Sequence, residues 1–132
     1  MQADRLIVHA TLVTMDPQRR ILSDHGIAIR DGRIAAILPT QALLEQYSAP
    51  HVLDASGSIA YPGFINTHNH LFQMLLKNLG KDLGLIRWLD ECIIAHYRNI
   101  TPENIYWAAL VGCAEHLHSG VTTCVDYQYA HG

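Results

Sequence analysis

Between Arg5 and Met15 apolar and polar positions alternate, with Leu6, Val8, Ala10 and Leu12 on one side of the alternation. A period of two predicts a half-buried strand, and Asp16-Pro17 ends it. A second β-rich run, residues 27–30, meets Asp31-Gly32 and resumes over residues 33–38, the pattern of a tight hairpin. Pro39-Thr40 then introduces a short helix over residues 41–47, with Thr40 as its N-cap. Two more short strands, residues 52–54 and 58–60, flank Ser56-Gly57. Residues 1–60 therefore read as a small, mostly antiparallel module.

From Tyr61 the pattern changes. Pro62-Gly63 leads into a short extended run ending in His68-Asn69-His70. Residues 71–80 carry apolar side chains at mixed spacing, which predicts a helical turn or short helix, and residues 81–85 break it into a loop. Residues 86–99 predict a helix with Ile86, Leu89, Ile93, Ala95 and Tyr97 on its apolar side. Thr101-Pro102-Glu103-Asn104 is a helix start, because Thr101 caps, Pro102 fits the first helical position and Glu103 suits the dipole. That helix should run to His118, where Ser119-Gly120 stops it. The β-branched run over residues 121–126 predicts a buried parallel strand. Strand, helices and strand in this order make a β-α-β unit, so the fold class is α/β.

The candidate chemistry lies in His68 and His70. In an extended backbone residues i and i+2 share a face, so both imidazoles should reach one metal ion while Asn69 points the other way. Imidazole suits zinc, iron or nickel, and a metal held by few protein groups keeps a position open for water. The other histidines do not form such a pair on an extended segment. His9, His25 and His51 are scattered through the β-rich part, while His116 and His118 follow Glu115 without an HExxH pattern and should face away from the strands.

Composition narrows the partners. The chain has 132 residues, 49% hydrophobic and 16% charged, with a net charge of −3. No basic surface argues for nucleic acid or an anionic membrane, and no apolar run reaches transmembrane length. Cys92, Cys113 and Cys124 are odd in number and widely spaced, so they read as buried thiols in a reducing compartment, and the expected location is the cytoplasm.

The stretch Pro62-Gly63-Phe64-Ile65-Asn66-Thr67-His68-Asn69-His70 resembles the opening of the first barrel strand in the amidohydrolase superfamily. The likeness extends through Leu71-Phe72-Gln73, residues 75–79, Asp82-Leu83, Trp88-Leu89, Ala114-Glu115 and residues 119–123. It is closest to the branch that deaminates or dechlorinates amino-substituted nitrogen heterocycles, including guanine, 8-oxoguanine, adenosine-type, pterin and s-triazine hydrolases. Relatives often have Arg-Gly where this chain has Lys77-Asn78, so no role of that arginine is carried over.

The resemblance implies an N-terminal β-sandwich-like module over residues 1–60, followed by the first β-α-β part of a (β/α)8 barrel over residues 61–132. A complete barrel takes about 250 residues, so the barrel is expected to be incomplete in this chain. His68 and His70 would hold one divalent metal ion, zinc first and iron second, at the carboxyl end of the first barrel strand. The metal would make hydroxide available to attack a ring carbon bearing an amino or chloro group. The remaining ligands and acid/base groups would come from later strands. Local candidates for the small heterocyclic substrate are Gln73, through its amide, Trp88, as a roof for a flat ring, and Asp126, at the end of the second predicted strand. Tyr127, Tyr129 and His131 alternate as a strand end would and carry no expected role. Two functional classes remain open: a metal-dependent hydrolase, expected to be a homo-oligomer, or a catalytically inactive structural or interaction module joined to itself or a partner through exposed barrel edges.

Overall fold

The computed structural model describes residues 1–129, so the alternation expected to include His131 falls partly outside the described residues. The chain divides into two compact units, Met1–Pro62 and Gly63–Gly132.

The first unit contains β1 (Arg5–Val13), β2 (Ile21–Arg30), β3 (Arg33–Pro39), α1 (Thr40–Gln46), β4 (His51–Asp54) and β5 (Ile59–Ala60). The alternation read in β1 is real: Leu6, Val8, Ala10 and Leu12 are all buried. Leu6 and Val8 join Ala3, Ala28 and Leu43 in one core, with Leu43 supplied by α1. β2 and β3 are antiparallel, with Arg30 opposite Arg33 across the turn. Asp31 and Gly32 both have positive φ, 52° and 69°, as a two-residue turn matching strand twist requires.

The sheet departs from the sequence expectation in three ways. β4 and β5 pair with β1 in parallel, along its first and last parts, so the five-stranded sheet is mixed rather than antiparallel. The reason is α1: a helix between β3 and β4 carries the chain back so that it re-enters the sheet in the direction of β1. The strands of this unit make one five-stranded sheet with a helix against it, a single layer of strands. Finally, Thr40 is not the N-cap. Pro39 takes that position, and the buried Thr40 hydroxyl accepts the His9 N–H at 3.0 Å.

That bond marks an irregularity in β1. The β1/β2 register slips between Ile7 and Ala10, where His9 has φ 60°, and Asp24 opposite has φ 48°. His9 Nδ1 lies 2.9 Å from Asp24 Oδ1. The hydrogen bond to His9, and after it one to Thr40, holds the Asp24 carboxyl below its ordinary range. A carboxyl depressed in the folded state adds stability above its unfolded pKa, and that stability is lost as pH falls through the folded value. The parent should therefore lose melting temperature between about pH 5 and 3 more steeply than Asp24→Asn. Parallel slopes in the two proteins would contradict this.

The second unit contains β6 (Phe64–Asn69), a 3-10 segment (Leu71–Leu76), α2 (Leu85–Trp88), a π-helical segment (Leu89–Ile94), α3 (Ala95–Tyr97), α4 (Pro102–His118) and β7 (Val121–Asp126). β6 and β7 are parallel neighbours, as a β-α-β unit demands. Gly63 makes their approach possible, since a Cβ there would meet the Thr122 side chain at 2.2–2.7 Å. The α4 start is as read from sequence, with Pro102 in the first turn. Thr101 Oγ1 accepts from Asn104 N–H, and Asn104 Oδ1 accepts from Thr101 N–H. Phe72 and Ile100 are buried together, with Tyr97 and Ile105 packed against them.

Three expectations need correction here. β7 is not buried: Val125 is 45% exposed, and no described strand other than β6 flanks it. A parallel sheet needs cover on both faces, and two strands beside one long helix do not provide it. The helix expected over residues 86–99 is interrupted by the π turn, which leaves Ile86 exposed and buries Cys92 and Ile93. The cysteines are not uniformly buried either. Cys92 is, Cys124 is half-buried and Cys113 is exposed.

Candidate metal centre

The His68 and His70 imidazoles meet at the carboxyl end of β6, with their Nε2 atoms 3.2 Å apart. Two nitrogens each bound to a tetrahedral zinc at 2.0–2.1 Å lie about 3.3 Å from one another, so the pair has the separation that shared ligation needs. The second nitrogen of His70 is committed. Nδ1 donates to the Tyr127 carbonyl at 2.8 Å, which makes Nε2 the unprotonated nitrogen, the arrangement that fixes tautomer and ring orientation in metal-bound histidines. Tyr127 also lies against the His68 ring, with centroids 5.0 Å apart. Among the described residues no third His, Cys, Asp or Glu joins the pair. The donor set therefore fits a divalent metal as part of a ligand shell.

The pair opens onto a cavity of about 420 Å³, also lined by Gln73, Met74, Lys77 and Trp88. Gln73 Nε2 donates to the Tyr129 hydroxyl at 2.9 Å, and the Trp88 ring is half-buried. Four of the five residues singled out in the sequence thus share one concavity. Asp126 does not line it. Its Oδ1 accepts from Leu71 N–H at 2.9 Å and so pins the turn immediately after His70.

Sequence reasoning missed the aromatic cluster that includes the His70 ring. Tyr129 stands 5.4 Å from the His70 ring and 4.9 Å from Phe72, and its carbonyl accepts from the Tyr97 hydroxyl. The signal was present in the topology, because residues following β7 must lie beside those following its neighbour β6. His116 was also misplaced. It is half-buried against β6, and its Nε2 accepts from Asn66 Nδ2 at 3.0 Å, while His118 is exposed as expected.

The Lys77-Asn78 departure has a structural meaning. Lys77 Nζ pairs with Glu115 Oε1 at the surface, worth about 0.2–1 kcal/mol. Asn78 has φ 70°, a conformation glycine adopts freely and asparagine tolerates best among the rest. Asn78→Ala should therefore cost about 1 kcal/mol in denaturant unfolding. An unchanged midpoint would refute this.

Two imidazoles 3.2 Å apart at the carboxyl end of β6, facing a cavity, make a candidate metal centre. The chain belongs to the amidohydrolase family, whose pattern matches residues 59–132. It is 36% identical over 131 residues to a 5-methylthioadenosine/S-adenosylhomocysteine deaminase of Syntrophobacter fumaroxidans, covering 98% of this chain and 30% of that one. A similarly named deaminase of Acetivibrio thermocellus is 35% identical, with 96% and 29% covered. Among solved structures, a zinc-bound adenosine deaminase from Xanthomonas campestris superposes with a TM-score of 0.88 at 28% identity, covering 97% of this chain and 29% of that one. The zinc complex of an Arthrobacter aurescens atrazine chlorohydrolase gives 0.74 at 28% identity, with 92% and 28% covered. The chain thus spans less than a third of the length of these relatives. No helix among the described residues is long and apolar enough to cross a membrane.

Proposed function

We propose that this chain carries the first metal ligands of a hydrolase acting on C–N or C–Cl bonds of amino-substituted nitrogen heterocycles, with hydrolytic deamination as its reaction. The observation that carries the reading is the 3.2 Å separation of the His68 and His70 Nε2 atoms on a strand of a family with zinc-bound members. In this reading residues 1–60 are a supporting β module, and residues 61–132 begin the catalytic barrel domain.

One divalent ion, zinc or in its stead iron, would be held by His68 and His70. When bound it would supply hydroxide at neutral pH, because it lowers the pKa of its water to about 7. The chain's own residues do the rest of what can be assigned here. Tyr127 fixes the His70 tautomer through its carbonyl. Trp88 offers a flat apolar wall to a heterocyclic ring, and the Gln73 amide, held by Tyr129, offers a polar contact at its edge. Asp126 acts on the site by holding the turn after His70, and this use of its carboxylate supports a positioning role over direct substrate contact. The names of the relatives favour an adenosine-type substrate, with a triazine as the second class. The net charge of −3 agrees with a small-molecule partner in place of nucleic acid or membrane, and the setting is cytoplasmic and homo-oligomeric in this reading.

The test is ammonia release by the protein as its gene encodes it, measured with adenosine, 5-methylthioadenosine, guanine, 8-oxoguanine, pterin and aminotriazine substrates, alongside metal analysis. Release from at least one substrate, lost on chelation and restored by zinc or iron, is expected. Failure across the whole panel in metal-replete protein would overturn the reading.

A further inference from the structure

The strand that carries the imidazole pair is not regular where the pair begins. Asn66 is paired with Cys124 and Asn69 with Asp126, so three steps along β6 face two along β7. One extra residue is therefore accommodated between Asn66 and Asn69, and such a bulge deprives a backbone N–H of its ladder partner. Here the Asn66 side chain supplies the missing acceptor. Its Oδ1 lies 3.1 Å from His68 N, the local two-residue reach of an Asx turn. A backbone N–H can only donate, so the atom facing it must be the amide oxygen. The amide nitrogen is then left for His116 Nε2, 3.0 Å away on α4.

The result is a continuous connection from the last turn of a long helix to the backbone of one imidazole-bearing residue. Both Asn66 and His116 are half-buried, and α4 is held at its start by the reciprocal Thr101–Asn104 bonds. Its Gly112 sits so close to the 3-10 segment that a Cβ would come within 2.6 Å of Leu71. The helix is thus braced near the point where His116 reaches the strand.

We propose that Asn66 is a positioning residue for the metal centre: by bridging His116 to the His68 amide across the bulge, it sets the rotation of β6 that brings the His68 ring to His70. The idea rests on His68 and His70 being metal ligands. Asn66 touches neither metal nor substrate in this scheme, and acts by removing a freedom that a bulged strand otherwise has. Supporting groups around metal ligands typically change affinity by 10–100-fold when lost.

The experiment measures zinc affinity by competition with a chromophoric chelator, and the visible spectrum of the cobalt-substituted protein, on the protein as its gene encodes it. Asn66→Ala is expected to weaken zinc binding by about 10–100-fold and to alter the cobalt bands. Asn66→Ser, which retains an acceptor for the N–H two residues on but loses the amide nitrogen that reaches His116, is expected to recover part of the affinity lost in Asn66→Ala and to match His116→Leu. His116→Leu removes the far end of the connection and leaves β6 intact, so it carries the test should Asn66→Ala fail to fold, with a loss of about tenfold expected. Unchanged affinity in Asn66→Ala or His116→Leu, or a serine variant as weak as the alanine one, overturns the proposal. A His68→Ala control separates the two ideas. Zinc binding that survives it overturns the ligand assignment as well, whereas His68-dependent binding with no effect at Asn66 overturns the positioning role alone.

Discussion

Alanine in place of His70 is expected to lower zinc affinity by at least about 100-fold and to remove hydrolytic turnover with it. The argument is geometric. His70 supplies one of two nitrogens poised 3.2 Å apart, and its other nitrogen is spent on the Tyr127 carbonyl, so its orientation is set before any metal arrives. Loss of a supporting group typically costs 10–100-fold, and loss of the ligand itself must cost more. His68→Ala should do the same, although the His68 ring is more exposed and is held by its Tyr127 contact and its backbone. Metal content after dialysis and ammonia release are the two measurements. Stoichiometric zinc and parental turnover in both variants would remove the metal assignment.

The second large effect concerns the 132-residue polypeptide taken by itself, which is expected to self-associate and to release no ammonia even with added zinc. β6 and β7 form a two-stranded parallel sheet, so each has an unpaired outer edge among the described residues. Ile65 is 67% exposed beside them, and α4 displays Tyr106, Trp107, Leu110, Val111 and Leu117. Contiguous apolar surface and open parallel edges are the two features soluble monomers avoid. Catalysis fails for a separate reason, since two imidazoles fall short of the three protein ligands a catalytic zinc normally has. Light scattering coupled to size exclusion reads the first effect and an ammonia assay the second. A monodisperse monomer that deaminates a purine would refute both.

Much of this structure was legible because it follows from local periodicity. Asp31-Gly32 must supply two positive φ angles, and the sequence places there the dipeptide best able to do so. The Thr101 cap and the Ser119-Gly120 stop are local in the same sense. The prediction that His68 and His70 share a side held although the register of β6 slips between Asn66 and Asn69, an interval that includes His68. What escaped is what depends on distant partners. The parallel return of β4 and β5 is decided by the path of α1, and Asn66 finds His116 fifty positions away. Thr40 looked like a cap because its hydroxyl is a good local acceptor, but an irregular strand more than thirty residues earlier took it. The phase of backbone hydrogen bonding between residues 89 and 94 leaves no mark on apolar spacing, so the π turn could not be foreseen.

That π turn makes the helix over residues 85–97 sensitive to length in a way its composition hides. A segment bonded from i to i+5 holds one residue more than an α-helical turn would, and such insertions often persist at functional positions. Excising a single residue among positions 89–91 would restore regular winding. With Cys92 and Ile93 anchored in their buried positions, everything before them would turn by about 100° about the helix axis. Trp88 would leave the cavity wall though its own codon was untouched, so in this stretch the spacing of the chain governs the site as much as the identity of the side chains that line it.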